Sequence, residues 1–342
     1  MAIRAKDIAR EIGVSEATVS LVINGKPGVS DKTRARVSGK IRELGFGYLL
    51  SGDGNNEYNA HRIGFVIYKD GGKLLGENSF FPLILDEIET TARELGFSVT
   101  IVYINRSRIE EDIKYINELN CSGCVIFATE LHEKEVHFFK ELAIPLVVLD
   151  NYFIDHNIAS VKLNNQQGEH LAIKYLYKMG HRKIGYLGSG LEINSFEERQ
   201  KAAMDALERF GLTGDKNYFF KVGYPNEEAQ KGMAKILSMY SKEELPTAFV
   251  SDNDLVAVGA IRAIKDFGYQ VPEDFSVVGY DDRPICTMVS PQITTIEIPR
   301  DLFGATAVRR LARIILYNED PYTITSINGV LVERDSVKKL KQ

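Results

Sequence analysis

Residues 5–46 read "AKDIAREIGVSEATVSLVINGKPGVSDKTRARVSGKIRELGF" and contain three short amphipathic segments. The first ends at Gly13, the second begins at Ser15, and the third runs from Ser30 to Gly45. Serine often caps the start of a helix and glycine often ends one, so three short helices are predicted. This arrangement is typical of a helix-turn-helix, whose second helix enters the major groove of DNA. A plain three-helix knob would show the same pattern.

The charge of the chain is divided unevenly between this region and the remainder. Residues 1–50 carry nine Lys and Arg against five Asp and Glu, whereas the whole chain of 342 residues has a formal net charge of -5. A small basic region ahead of an acidic body predicts that only the former contacts a polyanion. Charge alone leaves chance in a short window open, but together with the helices it favours a DNA-binding headpiece.

From residue 62 onward, apolar runs alternate with amphipathic segments. The runs are "IGFVIY", "SVTIVYI", "GCVIFA", "PLVVLD", "KIGYLG", "YFFKV", "TAFV" and "FSVVGY". The amphipathic segments are 83–95, 133–142, 167–179, 195–210, 226–239 and 254–267. Strands that are apolar throughout predict parallel sheets covered on both faces, hence an α/β body. Eight or so strands fit either one barrel or two doubly wound halves.

A known family shares these motifs. Residues 6–37 resemble the headpiece of the lactose-repressor (LacI/GalR) family, whose hallmark is "DVAxxAGVSxxTVSxVxN". The stretches "GHRKIGYLG", "DNDLVAVGAIRAI", "PEDFSVVGYDD" and "PQITTI" resemble landmarks of the family's sugar-sensing core. The resemblance covers nearly the whole chain. It implies a three-helix headpiece and a periplasmic-binding-protein-like core of two Rossmann-like lobes joined by three crossings, rather than a barrel.

The resemblance also implies where the parts begin and end. We expect a helix-turn-helix headpiece over 1–46, a linker or atypical hinge over 47–61, and an effector-binding core over 62–342. Within the core, lobe 1 is expected to comprise about 62–161 and 293–321, and lobe 2 about 162–292 and 322–340.

By the same resemblance, the second headpiece helix carries the base-reading side chains Glu16, Ala17 and Leu21. A carboxylate accepts a hydrogen bond from cytosine, and apolar side chains contact the thymine methyl group, but none of the three makes the bidentate arginine contact to guanine. Phosphate contacts are expected from Ser15, Thr18, Ser20, Asn24, Lys26, Ser30, Lys32, Thr33 and Arg34. Such contacts position the protein without reading sequence, so we expect affinity to fall steeply with salt.

The effector site is expected at the ends of core strands. Ser195 and Arg199 occupy positions at which relatives hold ligand. A guanidinium, an amide and a carboxylate from Arg199, Asn253 and Asp281 suit vicinal hydroxyl groups, so a sugar-like effector is predicted. A purine stays an alternative, because one branch of the family senses purines. Further effector contacts are expected from Asp150, Phe127, Phe80 and Phe81, with core packing as the alternative for the aromatic residues Phe127 and Phe80.

The linker departs from the family pattern. Relatives place a short helix there, with a leucine that wedges into the minor groove. Here Tyr48 stands at the usual proline position, Asn55 stands at the leucine position, and Gly52 and Gly54 fall in what would be the helix. Each interior glycine costs about 1 kcal/mol relative to alanine. We therefore expect no stable hinge helix.

No motif indicates catalysis or a cofactor. "GYLGSGLE" lacks the third glycine of a dinucleotide fingerprint, "CSGC" fits core filling better than redox chemistry, and no HExxH or GxSxG motif occurs. We expect no enzyme activity, no cofactor and no metal. We expect a homodimer that binds double-stranded operator DNA in the cytoplasm, at the nucleoid. No membrane contact is expected, since no run of about 18 apolar residues is present. A free sugar-binding protein and an enzyme on the same fold remain the alternatives.

Overall fold

The computed structural model describes residues 9–10, 12–23, 26–43, 62–70, 82–212, 218–317 and 319–341. In the headpiece, residues 9, 10 and 12 are helical, and two helices follow, α1 (Glu16–Ile23) and α2 (Asp31–Glu43). Gly13 has φ +70°, the left-handed conformation that commonly ends a helix. The predicted helix-turn-helix is confirmed.

The headpiece has its own apolar core. Ala9, Val19, Val22, Val37 and Ile41 are buried against one another. The buried residues of α1 and α2 are three or four positions apart and so share one face of each helix, and burial of these faces holds the short helices together.

The remaining helices and strands follow in chain order. They are β1 (Arg62–Lys69), α3 (Pro82–Glu94), β2 (Ser98–Asn105), α4 (Ile109–Glu118), β3 (Gly123–Phe127), α5 (Val136–Phe139), β4 (Leu146–Leu149), β5 (Ala159–Leu163), α6 (Asn165–Lys178), β6 (Ile184–Gly188), α7 (Asn194–Arg209), β7 (Phe219–Lys221), α8 (Asn226–Met239), β8 (Ala248–Ser251), α9 (Asp254–Asp266), β9 (Ser276–Asp281), α10 (Ile285–Met288), β10 (Thr294–Glu297), α11 (Arg300–Tyr317), β11 (Ile324–Ile327) and β12 (Val330–Val332).

The first sheet has the strand order β11-β5-β4-β3-β1-β2. β1 pairs in parallel with both β2 and β3, and β3 pairs in parallel with β4. Strand β3 is buried at every residue, and β1 is buried at all but its two ends. Burial on both faces explains why these runs are apolar throughout rather than alternating.

The second sheet has the strand order β12-β10-β9-β8-β6-β7. β6 lies between β7 and β8, β9 lies between β8 and β10, and these pairs are parallel, whereas β12 is antiparallel to β10. Helices α8 and α9 pack closely, since a Cβ atom on Gly259 would lie 2.3 Å from the Asn226 carbonyl oxygen. Two parallel-dominated sheets confirm the doubly wound α/β prediction, and the barrel alternative is wrong.

The chain forms two compact units, Met1–Ser160 with Gly304–Ile324, and Val161–Phe303 with Thr325–Gln342. It passes from one unit to the other three times. Residues 293–321 were predicted to lie in the first lobe, but β10 is hydrogen-bonded to β9 in the second sheet, and the chain leaves the second unit only after Phe303.

Several strands and helices were not predicted. Strands β5, β10, β11 and β12 have three to five residues and include polar or exposed positions. Helices α4 and α11 were likewise absent from the predicted amphipathic segments. The apolar runs that were predicted correspond to β1, β2, β3, β4, β6, β7, β8 and β9.

Candidate functional site

The proposed base-reading residues lie on α1 at the surface of the headpiece. Glu16 and Ala17 are exposed, and Leu21 is partly buried. A Cβ atom on Gly28 would lie 3.7 Å from Leu21 Cδ1, and the Leu21 carbonyl oxygen accepts a hydrogen bond from Lys26 N at 2.9 Å. Leu21 thus contacts the turn that follows α1. The roles of these residues in base reading stay predictions.

Two of the expected phosphate contacts also cap helices. Ser15 Oγ accepts a hydrogen bond from Thr18 N at 3.1 Å, and Ser30 Oγ accepts one from Thr33 N at 3.3 Å. The hydroxyl groups within each pair lie 2.8 and 2.9 Å apart. Each serine therefore satisfies an amide of the first helical turn, which stabilises the start of α1 or α2.

The charged residues of this set are exposed or partly exposed. Lys26 and Lys32 are exposed, and Arg34 donates from Nη2 to the Lys26 carbonyl oxygen at 2.6 Å, which ties α2 to the turn before it. Ser20 is exposed on α1. The predicted contact from Asn24 lies outside the described residues. Phosphate binding by this set stays a prediction.

In the second unit, Arg199 is the centre of a buried polar cluster. Its side chain is about 3% exposed. Arg199 Nε donates to Asn165 Oδ1 at 3.0 Å, Nη1 donates to the Asp252 carbonyl oxygen at 2.6 Å, and Nη1 lies 3.3 Å from Asp281 Oδ1. The guanidinium also lies 3.7 Å from the centre of the Tyr280 ring. Its plane and direction are therefore fixed before any ligand arrives.

Asp281 ends β9 and turns sharply out of the sheet. Its φ is +106°, a strained conformation for an aspartate. Burial raises the pKa of the Asp281 carboxyl, while Arg199 and Arg283 act in the opposite direction. Asp254 lies nearby and accepts hydrogen bonds from Arg283 N at 2.7 Å and from Thr295 Oγ1 at 2.6 Å. These bonds hold the loop after Asp281 in place.

Asn253 and Ser195 lie at the starts of two helices, next to Asp252 and one turn before Arg199. Asn253 caps α9, and its Oδ1 accepts hydrogen bonds from Leu255 N and Val256 N, each at 3.1 Å. Its acceptor oxygen therefore has a structural task that sequence reasoning did not foresee. Ser195 is buried in the first turn of α7, one turn before Arg199 and on the same face.

Sequence reasoning missed residues that position Arg199. Asp252 Oδ1 accepts a hydrogen bond from Tyr186 Oη, and Asp252 Oδ2 accepts one from Ser189 N, both at 2.5 Å. Asp252 adjoins Asn253 in "DND", so the strand-end rule that selected Asn253 points to it as well. The local sequence around Asn165 does not single it out. Asn165 begins α6 and lies far from Arg199 along the chain.

Glu169 is a further buried acid that was missed. It lies on the inner face of α6, and its Oε2 has no hydrogen-bond partner among the residues that the structure describes. Burial raises the pKa of the Glu169 carboxyl to about 8, with Arg199 opposing the rise and Asp252 adding to it. The sequence did contain a sign of this residue, because Glu169 is a charged residue at an inward-facing position of a helix.

The first unit contains the other predicted effector residues. Asp150 has φ +67°, and its Oδ2 accepts a hydrogen bond from Thr129 Oγ1 at 2.5 Å. Phe127 is buried in β3, with its ring centre 6.4 Å from that of Phe65, which favours the core-packing alternative. The predicted contacts from Phe80 and Phe81 lie outside the described residues.

Comparison with known proteins places this geometry in a family. Residues 5–47 match the model for "Bacterial regulatory proteins, lacI family", and residues 173–337 match that for a "Periplasmic binding protein-like domain". The repressor PurR of Yersinia enterocolitica is 30% identical over 338 residues, which are 97% of this chain and 96% of that protein. The chain belongs to the LacI family. PurR of Mannheimia succiniciproducens is 28% identical over 98% of each chain.

Solved structures of LacI-family proteins agree with this assignment. The lac repressor dimer bound to operator and the anti-inducer ONPF is 25% identical, with a TM-score of 0.73 over 99% of this chain and 100% of that one. The transcriptional regulator CelR in complex with cellobiose, 24% identical with a TM-score of 0.73 over 98% of this chain and 100% of that one, shares the fold. Within the described part of the chain, no helix has the length and apolar character needed to span a membrane.

Proposed function

We propose that a small hydroxyl-rich effector, held by the second unit through Arg199, Asn253 and Asp281, controls the affinity of this LacI-family protein for operator DNA. The chain is a ligand-controlled transcriptional repressor, as its headpiece and its full-length repressor relatives indicate. The observation that carries the effector proposal is the fixed Arg199 guanidinium beside the Asp281 carboxylate at a strand end.

The charges around Arg199 favour a neutral ligand. Asp281 lies 3.3 Å away, and the acids Glu169 and Asp252 are close enough to influence the electrostatics of the same cluster. The positive charge of Arg199 is thus paired with Asp281 before a ligand binds. A neutral polyol exchanges hydrogen bonds with a guanidinium and a carboxylate without adding net charge.

A purine is the second candidate effector. One branch of the LacI family senses purines, and the full-length relatives described above are named PurR. The Tyr280 ring does not itself favour a purine, because one of its faces is covered by Arg199.

On DNA, we propose a homodimer that places one headpiece on each half of a pseudo-palindromic operator. Glu16, Ala17 and Leu21 would contact bases, with the surrounding hydroxyl and basic residues on phosphates. The linker is proposed to act without a hinge helix; it lies outside the described residues. The protein is proposed to act in the cytoplasm, at the nucleoid, and to catalyse no reaction.

A thermal-shift screen tests the effector proposal. A ligand that binds only the folded protein raises Tm by mass action, so monosaccharides, oligosaccharides and purines are compared in one panel. Arg199→Lys keeps the positive charge but loses the planar arrangement of separate nitrogen donors that contacts Asn165, Asp252 and Asp281. We expect it to weaken effector binding at least tenfold, whereas the exposed control Lys201→Ala leaves binding unchanged. Equal binding by Arg199→Lys and the wild type would reject the assignment.

A further inference from the structure

A cavity lies in the second unit, on a different side of α7 from Ser195 and Arg199. Its volume is about 320 Å³. Its walls are the loop that follows β6, the outer side of α7 and strand β7. Ligand pockets commonly measure about 300 to 1,000 Å³, so the cavity suits a ligand the size of one sugar ring.

The helix itself separates this cavity from the proposed effector site. Ser195 and Arg199 are four residues apart on α7 and share one face. Phe196 and Gln200 are also four residues apart but follow the first pair by one residue, so they face about 100° further around the helix. Phe196 and Gln200 line the cavity, whereas Ser195 and Arg199 do not.

Carboxylates dominate the polar lining. Three carboxyl groups line the cavity: Glu192 and Glu197, which are exposed, and Asp252, which is buried. The lining also contains one ammonium group, that of Lys221. Carboxylates accept hydrogen bonds and do not donate them. A ligand that donates from hydroxyl groups and carries a positive charge therefore matches this lining, and a phosphorylated ligand would be repelled.

Aromatic rings supply the apolar part of the lining. Tyr186 and Phe219 stack with ring centres 5.7 Å apart and planes at 19°, and Phe196 and Phe220 also line the cavity. Aromatic faces cover flat apolar surfaces and attract cations. Tyr186 is held by its hydrogen bond to Asp252, so the ring is positioned before a ligand binds.

We propose that this cavity is a binding site for a compact amino sugar, distinct from the proposed effector site although Asp252 adjoins both. Its ammonium group pairs with the carboxylates of Glu192 and Glu197, its hydroxyl groups donate to Asp252 and the backbone of the loop after β6, and its ring lies against Phe196 and Phe219.

Calorimetric titration of the full chain with D-glucosamine tests the site. At slightly acidic pH the amine is protonated, and D-glucose and D-glucose 6-phosphate serve as the neutral and anionic comparisons. We expect the affinity to decrease from glucosamine to glucose, with no binding of glucose 6-phosphate at the cavity. Glu197→Gln is expected to reduce the difference in affinity between glucosamine and glucose.

A pair of neighbouring substitutions on α7 identifies the location. Gln200→Trp fills the cavity and is expected to weaken glucosamine binding at least tenfold, while Lys201→Trp adds the same bulk to an exposed position one residue on and leaves binding unchanged. Equal glucosamine affinity in Gln200→Trp and the wild type would overturn the proposal, as would absence of binding at millimolar glucosamine. Neither result bears on the effector proposal, whose test is Arg199→Lys.

Discussion

A single residue, Arg199, organises the buried polar cluster of the second unit. Its partners come from α6, from the end of β8 and from the end of β9. Three distant chain segments are thus held to one guanidinium. Replacing such a group by one with a single donor point loses direction as well as hydrogen bonds.

Glu169 makes the stability of the second unit depend on pH. The pKa of its carboxyl is raised to about 8 in the folded protein from an ordinary value of 4.5, so the folded state binds its proton more tightly than the unfolded chain. Stability is therefore lost as pH rises from about 4.5 through 8. We expect Glu169→Gln to raise Tm at pH 8 by roughly 10 °C, as for a gain of about 4 kcal/mol, and to change it little at pH 5.

Melting curves from pH 5 to 9 check this dependence. The matched control is Glu208→Gln at an exposed position of α7, which keeps the wild-type pH profile. If Tm changes with pH in parallel for Glu169→Gln and the wild type, protonation of Glu169 does not contribute to the pH dependence of stability.

Leu21 is expected to read a base through apolar contact. Leu21→Ala removes contact with a thymine methyl group, and we expect it to lose about 1 kcal/mol of discrimination, or about fivefold, at one operator position. Binding to the operator and to variants changed at single positions is measured by fluorescence anisotropy. Arg36→Ala, an exposed change on α2, is the control. If Leu21→Ala discriminates as well as the wild type, another residue reads that base.

Only part of the candidate site was predictable from sequence. Arg199, Asn253 and Asp281 were named because resemblance and strand ends pointed to them. Asn165 and Glu169 were missed, because they join the cluster only when α6 packs near Arg199. The local sequence around them does not indicate that packing. The capping role of Asn253 was missed for a different reason: the same side chain suits a ligand and a helix start equally well.

At the scale of elements, the starts of α1 and α2 depend on one hydroxyl group each. Ser15→Ala and Ser30→Ala each remove an acceptor for a first-turn amide. We expect each change to cost about 1 kcal/mol of headpiece stability. Urea unfolding followed by circular dichroism measures the loss.

Ser38→Ala within α2 is the control for this experiment, since alanine favours a helix interior and no cap is removed. A loss of stability in Ser38→Ala as large as that in Ser30→Ala would mean that capping is not the cause.

Some strands were recognisable because they are buried and apolar, whereas β5 and β10 are also mostly buried but contain polar residues and were missed. β1, β3, β8 and β9 are mostly or wholly buried and appear as apolar runs in the sequence. β11 and β12 have exposed positions and only three or four residues, so their sequences carry no such run. Their place in a sheet is decided by neighbouring strands, and a sequence window does not contain that information.

At the scale of the whole molecule, the headpiece and the rest of the chain carry net charges of opposite sign. Residues 1–50 are net basic in a chain whose total is -5. We expect the logarithm of operator affinity to fall linearly with the logarithm of salt concentration, and Lys32→Ala to reduce the slope by about one for each headpiece bound. Anisotropy titrations at several salt concentrations give both slopes. An unchanged slope in Lys32→Ala would remove Lys32 from the set of phosphate contacts.

The three crossings of the chain set the order in which the protein can fold during synthesis. The headpiece is continuous and is complete once its residues leave the ribosome. Both sheets, however, wait for the segment that holds β11 and β12, residues 324–332. The first sheet lacks β11 while about 160 residues after β5 are made, which takes about 8 to 32 seconds at about 5 to 20 residues per second, whereas β12 follows β10 sooner. Chaperones that cover an unfinished sheet edge would have their longest opportunity in this interval.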